Sequence, residues 1–267
     1  METQEKAQLA AVVEYMKSHW PSQVKPEWQV GIAEYPAIAE QVLRDFTVDA
    51  SRTGTFIRIA GLSGSGKTSQ ILPAVEAYCK KRELSPVLVA ARRFVEYHPH
   101  YEEIKDFYGE ANLRKQTDEF STIMMFLVLN LLTKHRFDVI LDVTLLDPAV
   151  EQILLHMLAR GKYQALLLMI ATSPTVTEHF LGGRSWRHTE ETEREFIRAT
   201  RKALDFYAEH SGDTRIILWS VYDEAPIYDG PVKDSLAIFD DYSTRDKLPA
   251  QDDDARRAAK IQYLTNL

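Results

Sequence analysis

The chain has 267 residues, 45% of them hydrophobic and 27% charged, with a formal net charge of −7 and a single cysteine. This is enough for one large α/β domain with appendages or two small domains, and an acidic balance without a long basic run speaks against nucleic acid as the main partner. Cys79 alone excludes an internal disulfide framework and a cysteine-rich metal site. The polar start lacks a signal-peptide pattern, and the most apolar stretches, 123–132 and 165–171, are too short to span a bilayer, so a cytoplasmic protein without a membrane partner is expected.

In chain order, Leu9, Val12, Val13 and Met16 recur at helical spacing over residues 3–19, and Pro21 ends that helix. A second helix is expected over 36–46, with Ile38, Val42, Leu43 and Phe46 on one face. These first fifty residues read as a helical layer packed on the body, with a regulatory arm as the alternative. A buried strand, Phe56-Ile57-Arg58-Ile59-Ala60, then runs into Gly61-Leu62-Ser63-Gly64-Ser65-Gly66-Lys67-Thr68. This stretch meets G-x-x-x-x-G-K-[ST] at every fixed position and opens a helix, which is the context a phosphate-cradling P-loop requires. Glycines let backbone N–H groups turn inward around phosphate oxygens, and the helix N-terminus adds its positive dipole end. Lys67 would reach the β- and γ-phosphates of ATP and the Thr68 hydroxyl would hold Mg²⁺.

The helix after the loop should run to about Arg82, with Pro73 inside it either kinking it or weakening one turn. Residues 86–90 read as a second strand, followed by Arg92, Arg93, Phe94 and His98-Pro99. A long, very apolar helix spans 117–135, and a third strand over 137–143 carries Asp142 at its end. Asp147-Pro148 and Ser173-Pro174 each start a helix, with a fourth strand over 165–171 between them. Gly182-Gly183-Arg184-Ser185-Trp186-Arg187-His188 reads as a glycine-led lid loop, and Thr189 can cap a helix reaching His210. A fifth strand over 215–220, a hairpin partner over 225–228, a short helix over 232–240 and a last helix over 255–264 complete the reading.

Strands alternating with helices predict an α/β fold, a parallel sheet with helices on both faces. Ligands in such sheets sit beyond the carboxyl ends of the strands. This gathers the P-loop, residues 91–99, 142–144 and the loop near Arg184 and Arg187 around one cleft. Asp142 can orient a Mg²⁺-bound water or take the proton of an acceptor hydroxyl. Arg92 and Arg93 are either solvated surface charges or a grip for a second phosphate or an acidic substrate.

The P-loop, Phe94-x-x-x-His98-Pro99-x-Tyr101, Leu141-Asp142-Val143-Thr144 and Arg187-His188-Thr189, in this order, resemble the zeta toxin family of P-loop kinases. The resemblance covers roughly 52–230, and the hairpin over 219–228 resembles that family's closing hairpin. It divides the chain into an N-terminal helical segment (1–50), a kinase core (51–230) and a C-terminal helical extension (231–267). It implies a bacterial toxin, neutralised by an antitoxin protein, that uses ATP and Mg²⁺ to phosphorylate the sugar 3′-hydroxyl of UDP-N-acetylglucosamine. It also implies ATP binding by Gly61, Ser63, Gly64, Ser65, Gly66, Lys67 and Thr68, and phosphate contacts from Arg187 and a second lid arginine, Arg184. Arg92, Phe94, His98 and Thr144 would line the acceptor site, with Lys67, Asp142 and Arg187 as the catalytic set; His98-Pro99 also reads as a structural pair that starts a helix.

Three positions depart from the family pattern. Arg92 stands where the family places its general-base Asp, and arginine does not give up its proton. Glu96, His98 and Asp142 are the substitutes within reach. Phe126 replaces a substrate-contacting Glu, and Leu146 a basic residue. These departures leave open another small-molecule acceptor, as in the related chloramphenicol phosphotransferases, or a degenerate nucleotide-binding protein that acts through a partner.

Overall fold

The computed structural model describes residues 3–19, 22–143, 148–181, 190–246 and 253–267. Two helices, α1 (Thr3–His19) and α2 (Tyr35–Phe46), precede strand β1 (Thr55–Gly61) and helix α3 (Leu72–Lys81). Strand β2 (Val87–Val89) leads into helices α4 (Tyr101–Tyr108), α5 (Glu110–Gln116) and α6 (Asp118–Lys134). Then come β3 (Val139–Asp142), α7 (Pro148–Gly161), β4 (Gln164–Ala171), α8 (Pro174–Leu181) and α9 (Glu190–His210). Strands β5 (Arg215–Ser220) and β6 (Tyr228–Pro231) and helices α10 (Leu236–Ser243) and α11 (Asp253–Thr265) follow.

The described strands form one sheet in the order β2-β3-β1-β4-β5-β6. Neighbours are parallel except β6, which runs antiparallel to β5. From Phe56 to Gly61 every residue of β1 is buried, as expected for a parallel strand covered on both faces. The two-residue period of the strand sends Phe56 into a core shared with α1, α2 and α6, while Ile57 and Ile59 join α3 and α11 on the other face. A third cluster packs Ala60, Leu167 and Leu218 against Ala203 and Leu204 of α9. Arg58 also lies in mid-strand and is buried; its Nη2 donates to Glu151 Oε1 at 2.9 Å, and Tyr207 donates to Glu151 Oε2 at 3.1 Å. Burial works against the Arg58 charge, but Glu151 and Tyr207 outweigh it and raise the pKa of the guanidinium.

The N-terminal helices are part of this core. Leu9, Val13 and Met16 of α1 and Tyr35, Ala39 and Val42 of α2 are buried. Lys17 Nζ lies 3.0 Å from Glu119 Oε1 and donates to the Val30 carbonyl at 3.0 Å, while the Tyr35 hydroxyl donates to the same Glu119 oxygen at 3.3 Å.

Two expectations sharpen. Of the two effects expected of Pro73 the weakened turn is the one seen: the proline stands near the start of α3, behind a widened π turn over Lys67–Ile71 that is closed by Leu72 N–H donating to the Lys67 carbonyl. A proline at 73 cannot donate to the Ser69 carbonyl, so the turn opens ahead of it. The hairpin partner of β5 is displaced along the chain to Tyr228–Pro231, pairing Leu218 with Tyr228 and Arg215 with Pro231. Pro226 has no N–H for a ladder, whereas Asp229 accepts two bonds from Arg215, each at 2.7 Å, and holds the later register. Among the described residues no helix is long and apolar enough to cross a membrane.

Candidate functional site

The carboxyl end of β1 passes straight into the P-loop. Gly61 has φ +141°, and a Cβ there would sit 2.9 Å from Ser65 Oγ and 3.1 Å from the Ile170 carbonyl, so only glycine lets the loop fold against β4. Gly66, at φ +92°, is left-handed and turns the chain into the helix. Lys67 Nζ donates to the carbonyls of Gly61 (2.7 Å) and Leu62 (2.8 Å), arching back over the loop's entry. A phosphate in the cradle competes for the same ammonium.

The loop floors a cleft of about 520 Å³. Ser63, Gly64, Ser65, Gly66, Lys67 and Thr68 line it, together with Arg92 and Asp142. Asp142 pairs in register with Ile59, which sets its carboxylate beside the P-loop. Its side chain is 3% exposed and its Oδ2 lies 3.0 Å from Nη1 of Arg92, which is 44% exposed. Arg114 from α5 and Arg256 from α11 complete the charged lining. Lys67, three arginines and one carboxylate thus line the cleft, a local gathering of positive charge in a chain whose net charge is −7.

Of the three substitutes for the missing base, only Asp142 lines the cleft; Glu96 is exposed elsewhere. Phe94 and His98, expected on the acceptor wall, do not line it either. Phe94 is fully buried in the core, its ring 5.7 Å from that of Phe46. His98 is buried edge-on against Phe120 at 4.7 Å, and its Nδ1 accepts the His100 backbone N–H at 3.1 Å. Burial first, then the neighbouring His100, lowers its pKa to about 4. Arg93 also turns away, donating to the Leu88 carbonyl at 2.8 Å and lying over the Phe46 ring. Residues 91–97 are a 3₁₀ turn, so consecutive side chains diverge by about 120° and the two arginines cannot share one ligand. Thr144, Leu146, Arg184 and Arg187 lie outside the described residues. Arg114 and Arg256 escape sequence reasoning because no motif marks either, and only the fold brings them to the P-loop.

Thr68 lines the cleft, and its hydroxyl fits a Mg²⁺ site of the usual kind, in which one or two protein oxygens add to phosphates and water. Among the described residues no group of three or more His, Cys, Asp or Glu could hold a metal by itself.

Residues 40–225 match the sequence profile of the zeta toxin family. The chain belongs to that family. The family's P-loop kinase-like character agrees with the cleft. Over 128 residues this zeta toxin family member is 26% identical to the toxin PezT of Streptococcus pneumoniae, a match spanning 48% of this chain and 49% of that protein, about half of each. A solved structure from the PezAT chromosomal toxin–antitoxin system of Streptococcus pneumoniae superposes with a TM-score of 0.65 at 18% identity, over 90% of this chain and 99% of that one. The AvrRxo1-ORF1:AvrRxo1-ORF2 complex with sulphate ions gives 0.53 at 12% identity, over 88% and 90%. At these identities the two structures share the fold.

Proposed function

We propose that this zeta toxin family member is an ATP-dependent phosphotransferase acting on a hydroxyl of a sugar nucleotide, UDP-N-acetylglucosamine by family resemblance, or of another small molecule. The observation that carries this is the meeting of a complete P-loop with the Asp142 carboxylate in one cationic cleft. Lys67, and Arg187 by its place in the family pattern, neutralise charge on the transferring phosphoryl group. Thr68 would hold Mg²⁺, which supplies further neutralisation of the phosphates when bound. The acceptor oxygen bonds to the γ-phosphorus as the bond from that phosphorus to the β–γ bridging oxygen breaks. Asp142 takes the acceptor's proton and ADP leaves. Such transfers depend mainly on position and electrostatics, so loss of the family's usual base at position 92 does not by itself abolish the reaction. Arg92 holds Asp142 at the cleft wall and offers its exposed guanidinium to an anionic part of the acceptor. An antitoxin partner and a cytoplasmic location belong to the same reading.

The Arg92–Asp142 pair also supports a second reading, a nucleotide-binding protein without transfer, because the cleft's carboxylate is already engaged. Phosphate release and transfer onto UDP-sugars and a panel of hydroxyl-bearing metabolites separate the two. The phosphotransferase reading expects Lys67→Ala to abolish transfer and Asp142→Asn to slow it by about 10²- to 10⁴-fold with ATP binding kept. ATP binding without transfer that depends on Lys67, to any tested acceptor, would establish the second reading.

A further inference from the structure

Helix α11 lies beyond the residues that match the family profile, yet it reaches the cleft. Its position is fixed from two sides. Leu264 shares a core cluster with Ile71, Leu72 and Val75 of the π turn and α3. Lys260 is fully buried, with its Nζ 3.5 Å from the Asp223 carbonyl just after β5. Near the start of the helix Arg256, 5% exposed, joins Val221 in lining the cleft.

The sheet gives the cleft a direction. β3 and β2 lie on one side of β1, and β4 and β5 on the other. Ala90, Ala91, Arg92, Asp142 and Val143, which follow β2 or end β3, line the first side, and Val221, which follows β5, lines the opposite one with Arg256. A triphosphate laid along the P-loop with its terminal phosphorus toward Asp142 therefore has its nucleoside beside Val221 and Arg256.

We propose that Arg256 is the nucleoside contact of this cleft, its guanidinium packing on the face of the purine while Val221 supplies an apolar edge. The inference rests on the phosphotransferase reading of the cleft and gives the C-terminal extension a part in nucleotide recognition. A planar, always-charged guanidinium stacks on a base face, and a lysine ammonium does not reproduce this. Contact of Arg256 with the base and contact with the phosphates are told apart by comparing Mg²⁺-ATP with inorganic tripolyphosphate, which has the phosphates alone.

Calorimetric titration of the full chain is the test. Arg256→Ala and Arg256→Lys should each weaken ATP by about tenfold, in keeping with the loss of one base-stacking contact, and leave tripolyphosphate within about twofold. Equal weakening of both ligands would assign Arg256 to the phosphates, and no weakening of either would leave it a packing residue; each result overturns the inference. A wild-type chain that binds neither ligand, or a Lys67→Ala chain that binds both normally, would instead overturn the reading of the cleft. Should the variants fail to fold, amide exchange in wild-type protein decides the matter. ATP should slow exchange in the first turn of α11 more than tripolyphosphate does, and equal protection would sink the proposal.

Discussion

His98 is spent on packing. Its ring lies against Phe120, Nδ1 accepts a backbone N–H, and burial with nearby His100 and Lys17 disfavours its charge, while Glu103 partly opposes them. Its pKa is therefore about 4 in the folded chain, against an ordinary 6.5. Between those values the unfolded chain binds more protons, so the stability supplied by neutral His98 is complete above pH 6.5, falls as the pH drops through 6.5, and is exhausted below about pH 4. From pH 7 to pH 4.5 wild type should lose about 2–3 kcal/mol more than His98→Gln, read from urea midpoints at the two pH values. Parallel losses in the two proteins would show that another group carries the acid sensitivity. The contrast with the P-loop residues explains what a sequence reveals at this scale. Phosphate chemistry fixes residue types at fixed spacing, so Gly61 to Thr68 can be read directly. Asp142 is legible as an acidic strand end. A His-Pro pair or two adjacent arginines announce nothing about direction, and here the 3₁₀ turn sends Arg92 into the cleft and Arg93 onto Phe46.

At the scale of elements, helices with a clear apolar stripe and strands with continuous apolar runs fall close to their expected bounds: α2, α6, α7, β4 and β5 all do. α4 and α5 have no counterpart in the sequence reading; they are short, and a single glycine, Gly109, at φ +77° separates them. β6 was displaced because its register is set by the Arg215–Asp229 pair across the sheet, a contact that local pattern does not contain. The N-terminal helices bear most on function, since a regulatory arm and a packed layer predict opposite results on removal. Leu9, Val13, Met16, Tyr35, Ala39 and Val42 all lie in the main core, and Glu119 of α6 depends on Lys17 and Tyr35 for its partners. Burial of that set is worth on the order of 10 kcal/mol, comparable with the whole stability of a typical domain. Deleting residues 1–50 should therefore give an insoluble chain or one without a cooperative thermal transition, rather than a chain released from inhibition. A soluble 51–267 fragment that melts within a few degrees of the full chain and transfers phosphate faster would restore the regulatory arm.

Over the whole molecule, the cleft is assembled from segments that span nearly the entire described chain. The P-loop follows β1, Arg92 follows β2, Arg114 rides on α5, Asp142 ends β3, Val221 follows β5 and Arg256 comes from α11. No window of sequence contains this set, so the charge of the cleft could not be foreseen from an overall balance of −7. A ligand held there touches several elements at once and binds the folded chain alone, because the unfolded chain has no cradle. Mass action then converts occupancy into global stability: Mg²⁺-ATP at one hundred times its Kd should add about 2.7 kcal/mol, or roughly 5–10 °C in Tm for a chain of this size. Contacts to the phosphates are between charges, so at a fixed ATP concentration salt that screens the site raises the Kd and shrinks the gain. The measurement is a thermal melt of wild type and Lys67→Ala with and without Mg²⁺-ATP, at low and at high ionic strength. Wild type should gain most at low salt, and Lys67→Ala should gain little at either. A shift of equal size in both proteins would place the nucleotide somewhere other than the P-loop cleft.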